Sequence, residues 1–355
     1  MKLEVHKYYY LTNRGFASEI VQLINAISHS LIYGSKLFVV SKSWNVKYKD
    51  GWSDYFGPTS ALFILSENTK PKYKISDLRI SIPLIKYLYI ITIFKRNGAI
   101  SPSKGLFKYL KSMVEIMLYA ITNQTKQYHC HEIVGGIGIN LNPDAKMLWQ
   151  NNINWGNKEK TINFTWNNKK YNFLSELHCD IATALFSEIR KQISDLYLAF
   201  KKENIKSSSY ISLHIRRGDK LIQEAQFIST LDYAKAIERF ATNQNTVFVS
   251  TDDFSVIQEL RDYNNNWNII ALTPADFDGH QQGHFNKQEK GKIRANTELL
   301  LAELLLHKNA EVFIGTITSN ISRLIAYSRN KKSTTYSLDR IDTNTDIYNE
   351  LITYI

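Results

Sequence analysis

The chain has 355 residues, 44% of them hydrophobic, and 44 Lys and Arg against 33 Asp and Glu give it a formal net charge of +11. That length and apolar content exclude a disordered chain and suffice for two domains with cores of their own. The positive balance favours anionic partners, namely a nucleotide, an anionic membrane surface or nucleic acid; with no Arg-Gly-aromatic RNA signature and no paired Cys/His finger in the sequence, nucleic acid ranks last. Cys130 and Cys179 are too few for a disulfide framework, and the longest apolar run, Leu84 to Phe94, contains Lys86 and is too short to span a bilayer. With no signal-peptide core at the start, a cytoplasmic protein is expected, with peripheral contact at a membrane surface left open.

Taken in order, Tyr8 to Leu11 predicts an opening strand, and a turn at Asn13, Arg14 and Gly15 leads into a helix with Ile20, Leu23, Ile24, Ile27 and Leu31 at helical spacing. Gly34 ends it, and Leu37 to Val40 completes a β-α-β unit whose first turn lacks the full glycine-rich dinucleotide pattern. Trp44, Tyr48, Trp52 and Tyr55 follow among polar residues, either to stack on a sugar or to close the edge of a core. Residues 60–170 carry little signal: Leu106 to Ile121 has helical periodicity, and Asn140 to Asn168 reads as loops with short strands. His129, Cys130, His131 and Glu132 have metal-ligand chemistry, yet a zinc site needs two further ligands from elsewhere in the chain. Leu174 to Phe200 predicts one long helix, and the polar stretch Lys201 to Ser209 a hinge.

After the hinge the elements alternate. Strands are predicted at 210–215, 246–250, 267–272 and 312–314, with helices near 231–240, 253–261, 292–307 and 319–327, a pattern that means a parallel sheet covered on both faces. The fold class is therefore α/β, with an N-terminal α/β domain over residues 1–205 and a Rossmann-type nucleotide-binding domain over residues 206–355. The first of these strands ends in Arg216, Arg217, Gly218, Asp219 and Lys220. Ligands of open α/β sheets bind beyond the carboxyl ends of the strands, and two guanidinium forks with a lysine suit a diphosphate; a solvated basic turn is the plainer reading, and an adhesion tripeptide at Arg-Gly-Asp is disfavoured because a strand end is a poor substitute for an exposed loop tip. Thr251, Asp252 and Asp253 and the Thr316 to Ser319 turn should share that crevice. Ser319 begins a helix, as an ordinary N-cap or as part of a phosphate site. Glu303 lies in an almost wholly apolar helix and needs a partner, either a basic residue of the next layer or the N1–H and N2–H₂ donors of guanine. Asp276-Phe277-Asp278 has the letters of a metal-dependent transferase motif but lies in a polar loop well past its strand.

His214 to Lys220, Glu224, Tyr233, Ser250 to Asp253 and Gly315 to Asn320 together resemble the α1,6-fucosyltransferase family in order and spacing. The likeness is strong over residues 207–330 and fainter over 13–58, at Arg14-Gly15-Phe16 and at Gly51-Trp52 to Phe56-Gly57-Pro58. The resemblance implies a two-domain GT-B-like fold and an inverting, metal-independent transfer of fucose from GDP-fucose to the 6-hydroxyl of an N-acetylglucosamine, in a glycan or glycolipid acceptor held on the N-terminal side. It implies that Arg216 and Arg217 hold the diphosphate, that His214 and Glu303 contact guanine and Ser319 the nucleotide, and that Lys220, Asp219, Tyr233, Asp252 and Asp253 line the donor site. Glu224 falls at the position of the family's base, its plainer reading being an ion pair with Lys220 or Arg217. The chain departs from the family in having Glu at 303 where the family has Asp, and Gly218, which fits α1,2-fucosyltransferases. An α1,2-type enzyme and a non-catalytic nucleotide-sugar or glycan-binding protein are the alternatives.

Overall fold

A computed structural model describes residues 6–32, 34–59, 61–66, 161–207, 209–218, 227–241, 245–274, 281–316, 318–329 and 333–339. The opening β-α-β unit forms as its periodicity dictates: strand β1 (His6–Tyr10), helix α1 (Phe16–Ile32) and strand β2 (Lys36–Val40), with β1 and β2 parallel. Gly34, at φ +61°, supplies the left-handed residue that lets the N–H of Ser35 return to the carbonyl of Ser30 at 2.9 Å and close the helix. A short third strand, β3 (Ile64–Leu65), pairs parallel with β2. The aromatic stretch between them closes a core: Trp44, Trp52, Tyr55 and Phe56 are buried, Trp52 stacks on Phe56 at 4.2 Å between centroids, and Trp44 stacks on Phe16 at 5.5 Å. Such pairs contribute about 0.5–1.5 kcal/mol each beyond the area they bury.

Strands β4 (Thr161–Trp166) and β5 (Lys169–Phe173) make an antiparallel hairpin turned by Asn167 and Asn168 at φ 49° and 62°, the positive dihedrals that a two-residue turn requires and that Asn tolerates. The long helix expected next is two, α2 (Leu174–Ser187) and α3 (Lys191–Asn204), and α3 runs into the stretch expected to be a hinge. At the break, Ile189 forms an antiparallel bridge with Phe56, the N–H of Gly57 donates to the carbonyl of Glu188, and the N–H of Arg190 donates to that of Tyr55 at 2.9 Å. Backbone groups that a continuous helix would use internally are satisfied across the chain instead, which apolar spacing does not reveal because both sides of the break keep it.

The second sheet holds β6 (Ile211–Ile215), β7 (Thr246–Thr251), β8 (Asn268–Ile270), β9 (Val312–Gly315) and β10 (Thr334–Ser337), all parallel and ordered β10-β9-β6-β7-β8. Connecting helices are α4 (Thr230–Phe240), α5 (Ser255–Tyr263), a single turn α6 (Gln282–Phe285), α7 (Lys290–Asn309) and α8 (Asn320–Ser328). β10 extends the sheet by a strand that the sequence reading did not contain. Ile211, Leu213 and Ile215 share a core with Tyr233 and Ile237 of α4, so the alternate side chains, Ser212 and His214, face the layer of α7. That layer explains why α7 is apolar nearly all round: it lies between the sheet, through Tyr210 and Phe248, and α3. Helices α1, α2 and α8 pack together, and one hydrophobic cluster runs from Tyr9, Ile24 and Leu177 to Leu301, Phe313 and Leu324.

Candidate functional site

The chain leaves β6 toward β7 and β8 on one side and later crosses to β9 and β10 on the other, so the strand order reverses between β6 and β9. Crevices at such a reversal, outside the carboxyl ends, are where open α/β sheets take their ligands. Register pairs Leu213 with Ile314, so residues 216–218 and Thr316 leave the sheet side by side.

The first turn is tied down by one carboxylate. Asp252, 6% exposed just past β7, accepts the N–H of Arg217 at 2.6 Å on Oδ1 and that of Gly218 at 2.9 Å on Oδ2, and pairs with Nη1 of Arg216 at 2.8 Å. Charge-assisted bonds of this kind are about twice as strong as neutral ones, so the turn is preorganised before any ligand arrives. Arg217 is steered sideways: its guanidinium donates to the carbonyl of Arg216 at 3.3 Å and to Thr230 Oγ1 at 3.2 Å, and lies 4.6 Å from the ring centroid of Phe227. Phe227 is 60% exposed, an aromatic that the sequence reading did not connect with the arginines. Asp253 is occupied otherwise, accepting the N–H and hydroxyl of Ser255, the first residue of α5, at 3.0 and 2.7 Å.

Tyr233 is buried beneath the strand end, its hydroxyl donating to the carbonyl of His214 at 3.4 Å. His214, 5% exposed, meets Ser250 Oγ through Nδ1 at 3.1 Å, and the same oxygen meets Nε2 of His307 at 2.6 Å. Burial, and then the charge of Arg216, hold His214 well below the usual imidazole range, so it is neutral at pH 7. Across the crevice, Ser319 is the N-cap of α8 and its side chain makes no capping bond. The turn before it is held by Asp339, whose Oδ2 accepts the N–H and hydroxyl of Thr318 at 2.8 and 2.6 Å. Glu303, partly accessible on α7, has its carboxyl pushed up to about 8 by desolvation, and among the described residues no ion pair reaches it. The salt bridge to a neighbouring layer, weighed as its plainer reading, is therefore not formed there.

Asp219, Lys220 and Glu224 lie outside the described residues, as do the histidine box at 129–132 and Asp276-Phe277-Asp278. Among the described residues no three His, Cys, Asp or Glu side chains gather as a metal centre would need, and no helix is long and apolar enough to cross a membrane. The sequence reading passed over His307 and Asp339; the signal available for His307 was its place one helical turn after Glu303 in an apolar helix.

Fold and site together define an open α/β sheet with a crevice at its switch point that carries Arg216 and Arg217. No protein-family model matches the sequence, and no curated protein matches it. Among solved structures, fucosyltransferases are similar to the chain: NodZ fucosyltransferase from Bradyrhizobium, at 12% identity and TM-score 0.49 over 96% of this chain and 97% of that one, and POFUT1 in complex with GDP-fucose, at 10% identity and TM-score 0.47 over 94% and 96%. NodZ α-1,6-fucosyltransferase soaked with GDP-fucose gives the same 12% identity and 0.49.

Proposed function

We propose that the protein is a glycosyltransferase of GT-B-like architecture that moves fucose from GDP-fucose to a glycan or glycolipid acceptor, with inversion, without a metal, and onto the 6-hydroxyl of an N-acetylglucosamine. The observation that carries this is the Asp252-clasped turn Arg216–Gly218, which leaves its strand end beside the one that leads to the N-terminus of α8 at the switch point, where a diphosphate would lie. The motif likeness to α1,6-fucosyltransferases over 207–330 supports fucose as the sugar.

In this reading Arg216, Arg217 and Lys220 stabilise the departing diphosphate, the N–H groups of α8 and Ser319 hold its far side, and His214 and Glu303 meet the guanine edge. Glu224 takes the proton of the acceptor hydroxyl as the fucosyl bond to the diphosphate breaks on the opposite face of the sugar. The test is calorimetry with GDP and UDP, followed by incubation with a panel of GDP- and UDP-sugars and chitooligosaccharides in EDTA. GDP binding with a deoxyhexose increment from GDP-fucose alone is expected; equal binding of UDP, or transfer that EDTA abolishes, sinks the reading.

A further inference from the structure

Two buried imidazoles share one hydroxyl beneath the crevice, and the two contacts differ in length. Ser250 Oγ lies 2.6 Å from Nε2 of His307 and 3.1 Å from Nδ1 of His214. A serine has one proton to give, so of two neutral histidines one receives it and the other donates to the oxygen. Hydroxyl donors make the shorter bonds and ring N–H donors the longer. Assigning the short contact to Ser250 donating to His307 Nε2 makes the long one the Nδ1–H of His214 donating to Ser250.

Both remaining nitrogens, Nδ1 of His307 and Nε2 of His214, are buried and have no hydrogen-bond partner among the described residues. The ring of His307 lies 5.2 Å from that of Phe313 at 72° and 5.0 Å from that of Phe248. With His307 protonated on Nδ1, Nε2 is the acceptor that the short bond requires. Arg329, donating to the carbonyl of His307, to that of Glu311 at 3.0 Å and to that of Thr334 at 3.0 Å, anchors this end of α7 to β9 and β10 and so fixes where the ring sits.

We propose that His307 is a positioning residue for recognition of the nucleotide base: through Ser250 it locks His214 as the Nδ1–H tautomer, leaving Nε2, buried and unpartnered without ligand, as the acceptor that a base N–H meets once ligand binding uncovers it. This rests on the GDP-binding reading of the site, which neither His307 nor Ser250 enters directly. It predicts that what His214 offers the ligand is set one layer deeper than the crevice, by a residue that never touches substrate.

Long-range ¹⁵N–¹H spectra of the ligand-free protein report which ring nitrogen carries the proton, and calorimetry reports GDP affinity. His214 is expected to carry its proton on Nδ1 in the wild type. In His307→Phe the freed Ser250 hydroxyl donates to His214 Nδ1, the proton moves to Nε2, and GDP affinity falls at least tenfold; in His307→Gln, whose side-chain oxygen accepts from Ser250, the wild-type tautomer and most of the affinity return. Should His307→Phe fail to fold, Ser250→Ala removes the same link and leaves His214 a mixture of tautomers. An Nε2–H proton on His214 in the wild type, or a tautomer shift with GDP affinity unchanged, overturns the proposal. A wild type with the Nδ1–H tautomer that binds no GDP removes the donor reading instead and leaves the relay standing as structure alone.

Discussion

Asp252 is the residue on which the crevice depends, because one buried carboxylate serves two backbone N–H groups and a guanidinium. Asp252→Asn leaves Arg216 without its counterion and presents an amide N–H to a backbone donor; breaking a buried pair in this way costs about 3–5 kcal/mol. Urea unfolding should show a loss of that order, with GDP affinity down more than tenfold, whereas Asp253→Asn, whose side-chain oxygen can still accept from Ser255, costs less than about 1 kcal/mol. Glu224→Gln separates catalysis from binding: GDP affinity should stay within a few-fold while transfer drops about a hundredfold or more, the scale of a lost general base. If Gln weakens both together, the side chain is an ion-pair partner rather than a base. Glu303 makes stability depend on pH. Its folded-state pKa of about 8 lies above the ordinary carboxyl value, so as pH rises the unfolded chain releases its proton first and the folded state loses stability up to about pH 8. His214 shifts downward and acts oppositely, but its contribution is complete above its ordinary value of about 6.5. Between about pH 6.5 and 8 the urea midpoint should therefore fall in the wild type and stay level in Glu303→Gln; a level wild-type curve would show that Glu303 is ionised in the folded protein.

At the scale of elements, the turn after β9 depends on close approach. A Cβ on Gly315 would stand 2.6 Å from Ser322 Oγ and 2.8 Å from Phe313 Cζ, so α8 sits against the strand end at a distance that glycine alone allows. Ser322 Oγ in turn reaches the N–H of Thr316 at 3.4 Å. Gly315→Ala should push α8 away from β9, costing about 1–3 kcal/mol as other overpacked sites do. The same shift should weaken GDP binding if the N-terminus of α8 holds a phosphate. Unchanged stability and affinity in this variant would place α8 outside the site.

At the scale of the molecule, the two parallel sheets are joined through α1, α2 and α8, whose side chains form one apolar cluster. Gln282 and Asn286 add a polar seam: Asn45 Nδ2 donates to Asn286 Oδ1 at 2.8 Å, and Asn286 Nδ2 donates to the carbonyl of Asn13 at 3.2 Å. Ile325, fully buried on α8, belongs to that cluster. Ile325→Ala should cost about 2–5 kcal/mol. Hydrogen exchange should then quicken in α1 as well as in β6 and β9, because a shared core carries the loss to both sheets; quickening confined to the second sheet would mean that the halves unfold separately.

The sequence by itself determined the elements whose side chains repeat with a single period. The 3.6-residue spacing of Ile20, Leu23, Ile24 and Ile27 fixed α1, and the β-branched runs around Ile211, Val247 and Val312 fixed the central strands, because local burial on one face leaves its mark at every turn. It also placed Arg216, Arg217 and Ser319 at strand and helix ends, since charge following an apolar run marks where a buried strand stops. Tertiary structure alone decided the rest. The break at Glu188–Arg190 comes from backbone pairing with Tyr55 and Gly57, which leaves no side-chain pattern. Trp44 and Trp52 are core rather than sugar platform because Phe16 of α1 stacks on Trp44 and Phe56 of the same stretch stacks on Trp52. Asp252 was legible as a residue just past a strand end, but its task of clasping the arginine turn arises from β7 lying beside β6. The tautomer of His214 depends on a histidine 93 positions away, which only the packing of α7 against the sheet brings to the shared hydroxyl of Ser250.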